Sequence, residues 1–192
     1  MNNSTKTTSF FSENIRAQIN QCFKDFGQEA SKKLLKQLAL GEDLTDRKNF
    51  NGHTTGSCFL LSPDSTKILC IHNLNLDRKL QPGGHCEQQD DAPINTAVRE
   101  LEEEVGVGKL QYDIVHPSAI DVDTHLIPEN PKKKEPAHFH HDFRHLFRLK
   151  HAVEINLDLN EVSSYQWVPI NDCNFIPSKL LNRIKLILKK NK

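Results

Sequence analysis

Apolar residues recur at helical spacing near both ends of the chain. From Ser12 to about Leu40 they return every three or four positions, interrupted at Gly27, which predicts two short amphipathic helices. At the other end, the segment SKLLNRIKLILKK has the same spacing and follows Pro177. It predicts a closing helix that begins at Ser178.

The middle of the chain has the shorter hydrophobic period of β-strands. A hairpin is predicted where the turn-forming residues SPDST are flanked by TTGSCFLL and KILCIH. Four later stretches are rich in β-branched and aromatic residues. They predict further strands within LQYDIVHP, SAIDVDTHLIP, AHFHHDFRHLFRLK and SYQWVPI.

One helix is predicted between these strands. The pair Asp90-Asp91 offers an N-cap and Pro93 suits the first turn, where its missing N–H costs nothing. The helix is expected to run to about Val105 and to stop at Gly106. This order of elements favours a layered α/β domain.

Composition narrows the class of protein. A chain of 192 residues suits one domain, and its 25 basic and 25 acidic residues give zero formal charge, so we expect no large nucleic-acid partner. Apolar runs all fall well short of the ~18 residues of a membrane span, and a signal-peptide pattern is lacking. Five widely spaced cysteines are typical of reduced thiols. We therefore expect a cytoplasmic location and no membrane partner.

The predicted central helix carries three acids on one patch beside its apolar stripe: Glu100, Glu103 and Glu104. Like charges one turn apart destabilise a bare helix by a few tenths of a kcal/mol, roughly. A divalent cation that prefers oxygen ligands, such as Mg²⁺ or Mn²⁺, reverses that effect. A solvated, glutamate-rich helix face is the alternative interpretation. Arg99 lies one turn before Glu103 and is placed to hold that carboxylate.

Histidines are unusually frequent, and strand alternation sorts them into two sets. His141 and His145 share a face with phenylalanines, which favours packing in the core. The opposite face of the same strand carries four ionisable residues: His138, His140, Asp142 and Arg144. On the preceding strand, Asp121, Asp123 and His125 share a face.

Three interpretations of the ionisable face stay open. It can be a solvent-facing strand, or the lining of a substrate pocket in which Arg144 and the histidines bind a diphosphate. The third interpretation is a second metal site, formed by His138 and His140 with Asp121 or Asp123, of the kind that suits Zn²⁺ or Fe²⁺.

The segment GGHCEQQDDAPINTAVRELEEEVGV resembles the Nudix box. Its second half matches at every fixed position: Arg99, Glu100, Leu101, Glu103, Glu104, Gly106 and Val107. Its first half contains one extra residue, so the acidic position falls on Asp90 when counted from Gly84 and on Asp91 when counted from Arg99. The resemblance to Nudix hydrolases covers roughly residues 49–170.

This resemblance implies a Nudix-type α/β/α sandwich with a mixed β-sheet in residues 49–192, preceded by a helical extension in residues 1–48. It implies hydrolysis of the diphosphate linkage of a nucleoside diphosphate joined to another group, or of a related organic pyrophosphate, by water attack at phosphorus. A Nudix-fold module that binds a nucleotide derivative without turnover is the alternative. The expected partner is a small-molecule substrate, and the chain is expected to be a monomer or a homodimer.

The resemblance also assigns roles to residues. It implies that Glu100, Glu103 and Glu104 bind Mg²⁺ or Mn²⁺ together with the carbonyl of Gly83, and that Arg99 orients a catalytic carboxylate. Glu103 is the first candidate for the general base, while His125, Glu135 and His140 are candidates outside the box. The expected substrate-binding residues are Gly84, His85, His125, His138, His140 and Arg144.

Overall fold

The computed structural model describes residues 3–131 and 133–191, with side chains from Phe10 onward. It contains four α-helices in the described chain: α1 (Asn3–Phe26), α2 (Lys32–Leu40), α3 (Pro93–Val105) and α4 (Ser178–Lys190). The two helices predicted around Gly27 and the closing helix at Ser178 are confirmed. The extension was predicted from residue 1, and residues 1 and 2 lie outside the described part.

The strands form one mixed sheet. They are β1 (His53–Leu61), β2 (Lys67–Asn73), β3 (Arg78–Leu80), β4 (Gly83–His85), β5 (Tyr112–Ile114), β6 (Asp121–Ile127), β7 (His138–Leu149) and β8 (Val162–Pro169). The main path is β3-β2-β1-β7-β5, while β4 pairs with β1, β6 with β7 and β8 with β2. β1 and β7 are parallel, and the other pairs are antiparallel. The predicted strands and the β1–β2 hairpin are confirmed.

Both faces of the central strand β1 are covered, and all nine of its residues are buried. Cys58 and Leu60 pack with Ala97 and Leu101 of α3. The alternate residues Phe59 and Leu61 pack with apolar residues of α4 on the opposite face. A buried strand between two helical layers therefore explains the continuous apolar run TTGSCFLL, and the predicted α/β/α sandwich is confirmed.

The first two helices pack against the β6–β7 end of the sheet. Ile15 of α1 and Leu34 of α2 share an apolar cluster with Val122 and Phe143. The amide of Gln28, between the helices, donates to the Val122 carbonyl at 2.8 Å. The helical extension is therefore tied to the sheet by both apolar and polar contacts.

The start of α3 differs from the prediction. Its N-cap is Ala92, which makes no side-chain capping bond, so the expected aspartate cap is wrong. The Asp90 carboxylate instead accepts bonds from the Thr96 hydroxyl and the Arg99 guanidinium within the helix. The predicted end of the helix is confirmed, since Gly106 adopts φ 71°, a left-handed conformation that glycine tolerates at a C-cap.

No helix in the described ranges is both long and apolar enough to cross a membrane. The five cysteines are buried free thiols, as the sequence predicts.

Candidate active site

The short strand β4 pairs with the central strand β1 and lies beside α3. Its residue Gly84 pairs with Gly56 of β1, and a side chain at Gly56 would overlap the carbonyl oxygen of Pro93. Glycine at position 56 therefore allows the start of α3 to approach the sheet closely. This close approach brings the glutamates of α3 beside the backbone of β4.

Two of the three glutamates contact β4 directly. Glu104 is buried and accepts a hydrogen bond from the backbone N–H of Gly83 at 2.9 Å. A Cβ atom built on Gly84 would overlap the Glu100 carboxylate, so this glycine leaves the space that Glu100 occupies. Glu103 is more accessible, with 57% of its side chain exposed.

Arg99 connects the acids of the site. One guanidinium nitrogen donates to the carboxylates of Glu100 and Glu103, both at 2.9 Å. The other donates to the carbonyl of His85 at 2.9 Å and to the Asp90 carboxylate at 3.1 Å. The arginine thus fixes two helix carboxylates relative to the loop that precedes the helix.

The contacts of Arg99 distinguish the two aspartates that the sequence left as alternatives. Asp90 is buried and bonds Arg99, Thr96 and the N–H of Glu87. Asp91 is exposed, and its backbone carbonyl accepts a bond from Asn14. Asp90 is therefore the acid that joins the loop to the helix, and the extra residue lies between it and α3.

Burial dominates the electrostatics of the site. It raises the pKa of Glu100 to about 7 and that of Glu104 to about 8. Neighbouring carboxylates raise both pKa values further, with Glu161 contributing to each. Arg99 partly offsets this for Glu100, and the Gly83 N–H partly offsets it for Glu104. Three carboxylates and an adjacent backbone carbonyl are oxygen donors, and this donor set fits Mg²⁺ or Mn²⁺.

Arg144 lies in a different electrostatic network. Its three nitrogens donate to the carboxylates of Asp121, Asp123 and Asp142 at 2.8, 2.9 and 2.9 Å. Arg183 of α4 is also within 3.2 Å of Asp121. Asp121 and Asp123, the predicted metal ligands beside His138 and His140, are therefore paired with arginines. Arg144, which was expected to bind phosphate, is surrounded by carboxylates.

The histidines of the ionisable face lie together with a further histidine, His53. Ligand atoms of His53, His85 and His140 all lie within 4.8 Å of one another, and His138 Nε2 is 3.2 Å from His140 Nε2. Burial lowers the pKa of His85 to about 3 and that of His140 to about 2, with smaller contributions from neighbouring histidines. These imidazoles are therefore neutral near pH 7.

The sequence interpretation missed His53. A signal was available, because His53, Thr55 and Ser57 are polar residues at every second position of strand β1 and so share one face. The hydroxyls of Thr55 and Ser57 donate to Asp142 at 3.2 and 3.0 Å. The polar face of β7 therefore continues across β1.

The remaining candidates are more scattered. His125 lies at the edge of the histidine group, with its ring 5.8 Å from that of His140, and it contacts Asp123 at 3.0 Å. Glu135 forms an ion pair with Arg47 at 3.2 Å. The predicted core histidines are buried, although His141 bonds Gln37 and Thr124 rather than packing only among phenylalanines.

Known proteins resemble this chain in sequence and in fold. The chain is 30% identical over 144 residues to a probable DHNTP pyrophosphohydrolase of Lactococcus lactis, covering 72% of this chain and 80% of the relative. The fold is similar to that of a C. elegans Ap4A hydrolase in a binary complex, with a TM-score of 0.57, 18% identity and coverage of 71% and 98% of the two chains. It is also similar to the E. coli dihydroneopterin triphosphate pyrophosphohydrolase, with a TM-score of 0.53, 13% identity and coverage of 71% and 95%. The model of the NUDIX domain matches residues 53–188. With its box helix set against β4 and its acids joined by Arg99, the chain belongs to the Nudix family.

Proposed function

We propose that this protein is a Mg²⁺- or Mn²⁺-dependent pyrophosphohydrolase that cleaves the diphosphate linkage of a small nucleotide-like substrate. The observation that carries the proposal is the Arg99 hub, which holds Glu100, Glu103 and Asp90 around the backbone of β4. The carboxylates of α3 favour an enzyme over a binding module, because oxygen ligands hold the divalent ion that assists phosphoryl chemistry, whereas a binding module is free to lose them.

The glutamates of α3 and Arg99 each have a proposed task. Glu100, Glu103 and Glu104 hold the metal with the carbonyl of Gly83. The ion, when bound, neutralises charge on the phosphoryl oxygens and activates the attacking water. Glu103 is the most exposed of the three acids, so it is the one placed to accept the proton of that water. Arg99 donates to Glu103 and keeps its carboxylate oriented while it does so.

The substrate is proposed to lie beside β4, next to the carboxylates of α3. Gly84 leaves the space that Glu100 occupies beside this strand, whereas the side chain of His85 projects from the opposite face. His125, His138 and His140 lie with His85 on that opposite face, so these four histidines are set apart from the carboxylates that hold the reacting diphosphate. Arg144 is better suited to holding the three aspartates than to binding phosphate, because all three of its side-chain nitrogens already donate to carboxylates.

The experiment is a substrate screen with the untagged chain of 192 residues. The panel holds nucleoside triphosphates, dinucleoside polyphosphates, ADP-ribose, nucleotide sugars and DHNTP, the last because the Lactococcus relative is described as acting on it. Each compound is incubated with Mg²⁺, with Mn²⁺ and with EDTA, and released phosphate or pyrophosphate is measured. We expect turnover of at least one compound with either metal and none with EDTA.

Calorimetric titration of the same panel separates the two functions. Tight binding without turnover of any compound would favour the binding module, and turnover that persists in EDTA would contradict the metal-dependent mechanism.

A further inference from the structure

We propose that His53, His85 and His140 bind a divalent transition-metal ion, with Zn²⁺ as the best fit, at a site separate from the carboxylates of α3. The ligand atoms of these three side chains lie within 4.8 Å of one another. Among the described residues, no other group of three or more histidines, cysteines or acids is gathered so closely.

The three histidines are placed by the sheet itself. His53 on β1 and His140 on β7 are direct partners in the parallel pair, and His85 on β4 lies opposite Thr55, two residues beyond His53. Side chains two residues apart on a strand share a face, so all three imidazoles project from the same side of three adjacent strands. Their relative positions are therefore fixed by backbone hydrogen bonds rather than by a loop.

This side of the sheet is opposite to α3. A side chain at Gly84 would meet Glu100 of α3, and His85 is the next residue along the strand, so its side chain points the other way. The same alternation separates His53 from Gly56, which faces the start of α3. The histidine group and the carboxylate group therefore lie on opposite sides of β4.

His53 keeps one ring nitrogen free of hydrogen bonds within the described structure. The side chain is 1% exposed, and its Nε2 atom has no hydrogen-bond partner among the described residues. Its Nδ1 atom is 3.3 Å from the carbonyl oxygen of Asn49, which can only accept, so Nδ1 carries the proton. The lone pair is then on Nε2, as metal binding requires, and ligating histidines typically donate their other ring N–H to a carbonyl in this way.

His138 has the same arrangement beside His140. Its Nδ1–H donates to the carbonyl of Pro136 at 2.8 Å, which leaves the lone pair on Nε2. That atom is 3.2 Å from His140 Nε2, close to the roughly 3.3 Å that separates two nitrogen ligands of a tetrahedral Zn²⁺. His138 therefore offers a fourth nitrogen next to the three-histidine group.

The chemistry of the group selects the metal. Neutral imidazoles suit Zn²⁺ and related transition metals, whereas Mg²⁺ prefers oxygen ligands. The nearby carboxylate of Asp123, on β6, contacts His125 and Arg144 instead of the three histidines. Binding of one ion requires these rings to approach one another, because the nitrogen ligands of a tetrahedral Zn²⁺ lie roughly 3.3 Å apart and the ligand atoms here lie within 4.8 Å.

Metal binding is tested with Zn²⁺ alone, in the absence of nucleotide. Untagged chain is stripped with a chelator and titrated with Zn²⁺ against a chromophoric competitor, and metal content is measured after gel filtration. We expect one tightly bound ion per chain, and a visible spectrum of tetrahedral Co²⁺ when Co²⁺ replaces Zn²⁺. Zn²⁺ should also raise the melting temperature, because it binds the folded chain.

Two variants locate the site. His140→Gln, at a half-buried position, should weaken Zn²⁺ binding by more than about 100-fold, the upper end of the loss caused by changing residues that only support metal ligands. The matched control His151→Gln alters an exposed histidine and should bind Zn²⁺ normally. His85→Gln provides a second test if His140→Gln folds poorly.

A double variant, Glu100→Gln with Glu104→Gln, separates this site from the carboxylates and should keep its Zn²⁺. The proposal is overturned if the wild-type chain binds no stoichiometric Zn²⁺, or if both histidine variants bind as the wild type does. It is equally overturned if the glutamate double variant loses the ion while the histidine variants retain it.

Discussion

The carboxylate of Glu100 lies directly against Gly84, in the space that a side chain at residue 84 would fill. The same carboxylate accepts a bond from Arg99 at 2.9 Å. The glycine of β4 and the arginine of α3 therefore position one acid from two sides, which links the loop of the box to its helix.

Gly84→Ala should displace Glu100 and reduce kcat without unfolding the chain. The atoms in the way belong to the end of a flexible side chain, so the carboxylate moves and the backbone does not. A misplacement of about 1 Å can cost roughly 100-fold in rate. Hydrolysis at saturating Mg²⁺ and the melting temperature are measured together. Gly108→Ala is the control, because the nearest atom to the added methyl group would be Glu102 Oε1 at 3.6 Å, and no rate change is expected.

Asp90→Asn should destabilise the fold by about 2 kcal/mol, because it replaces a buried carboxylate that accepts bonds from Arg99, Thr96 and a backbone N–H. Asp91→Asn, at the exposed neighbour, should change the free energy of unfolding by less than about 0.5 kcal/mol. Urea unfolding of the two variants gives the comparison. Equal effects would mean that Asp90 is not the residue that anchors Arg99.

Arg144→Met should lower the free energy of unfolding by about 3 kcal/mol, since it leaves the largely buried Asp142 without its cation and removes one of the two arginines that contact Asp121. The KM of the folded variant should stay close to that of the wild type. Chemical unfolding and steady-state kinetics measure the two effects separately. A large rise in KM with unchanged stability would instead support the substrate-binding role that the sequence suggested for Arg144.

Stability should fall in acid because His145 is completely buried with neither ring nitrogen bonded within the described structure. Burial lowers the pKa of His145 to about 3, whereas the unfolded value is near 6.5. Between these two pKa values His145 is protonated in the unfolded chain but not in the folded chain. The free energy of unfolding is therefore at its full value above about pH 6.5 and decreases as the pH falls toward 3. The loss approaches about 1.4 kcal/mol per pH unit for this group.

His145→Leu should remove that contribution. Between pH 6.5 and 4.5 the variant should lose about 2 kcal/mol less stability than the wild type, measured by urea unfolding. His151→Gln, in an exposed segment, should keep the wild-type pH dependence. Parallel pH curves for His145→Leu and the wild type would show that another group controls the acid transition.

Local pattern was enough to predict most elements. The apolar stripe and Gly106 indicated the extent of α3, and period-two alternation placed His138, His140, Asp142 and Arg144 on one face of β7, although His138 and Asp142 are buried there. Such patterns are visible in sequence because they depend on neighbours within a few residues.

Pairing between distant residues was harder to predict. The approach of His53 to His140 requires the parallel pairing of β1 with β7, two strands far apart in the chain, and no local signal sets that pairing. The capping role expected for the aspartates failed for a related reason. Arg99, two turns into the helix, provides Asp90 with a stronger charged partner than the free N–H groups at the helix start.

The kcat of Glu103→Gln, compared with that of Glu102→Gln on the best substrate of the screen, tests the central claim most directly. Both changes remove one negative charge from adjacent exposed positions of α3, but only Glu103 contacts Arg99. We predict that Glu103→Gln lowers kcat by at least about 100-fold and that Glu102→Gln leaves it within a factor of about two. An unchanged kcat in Glu103→Gln, or equal losses in both variants, would contradict the proposed site.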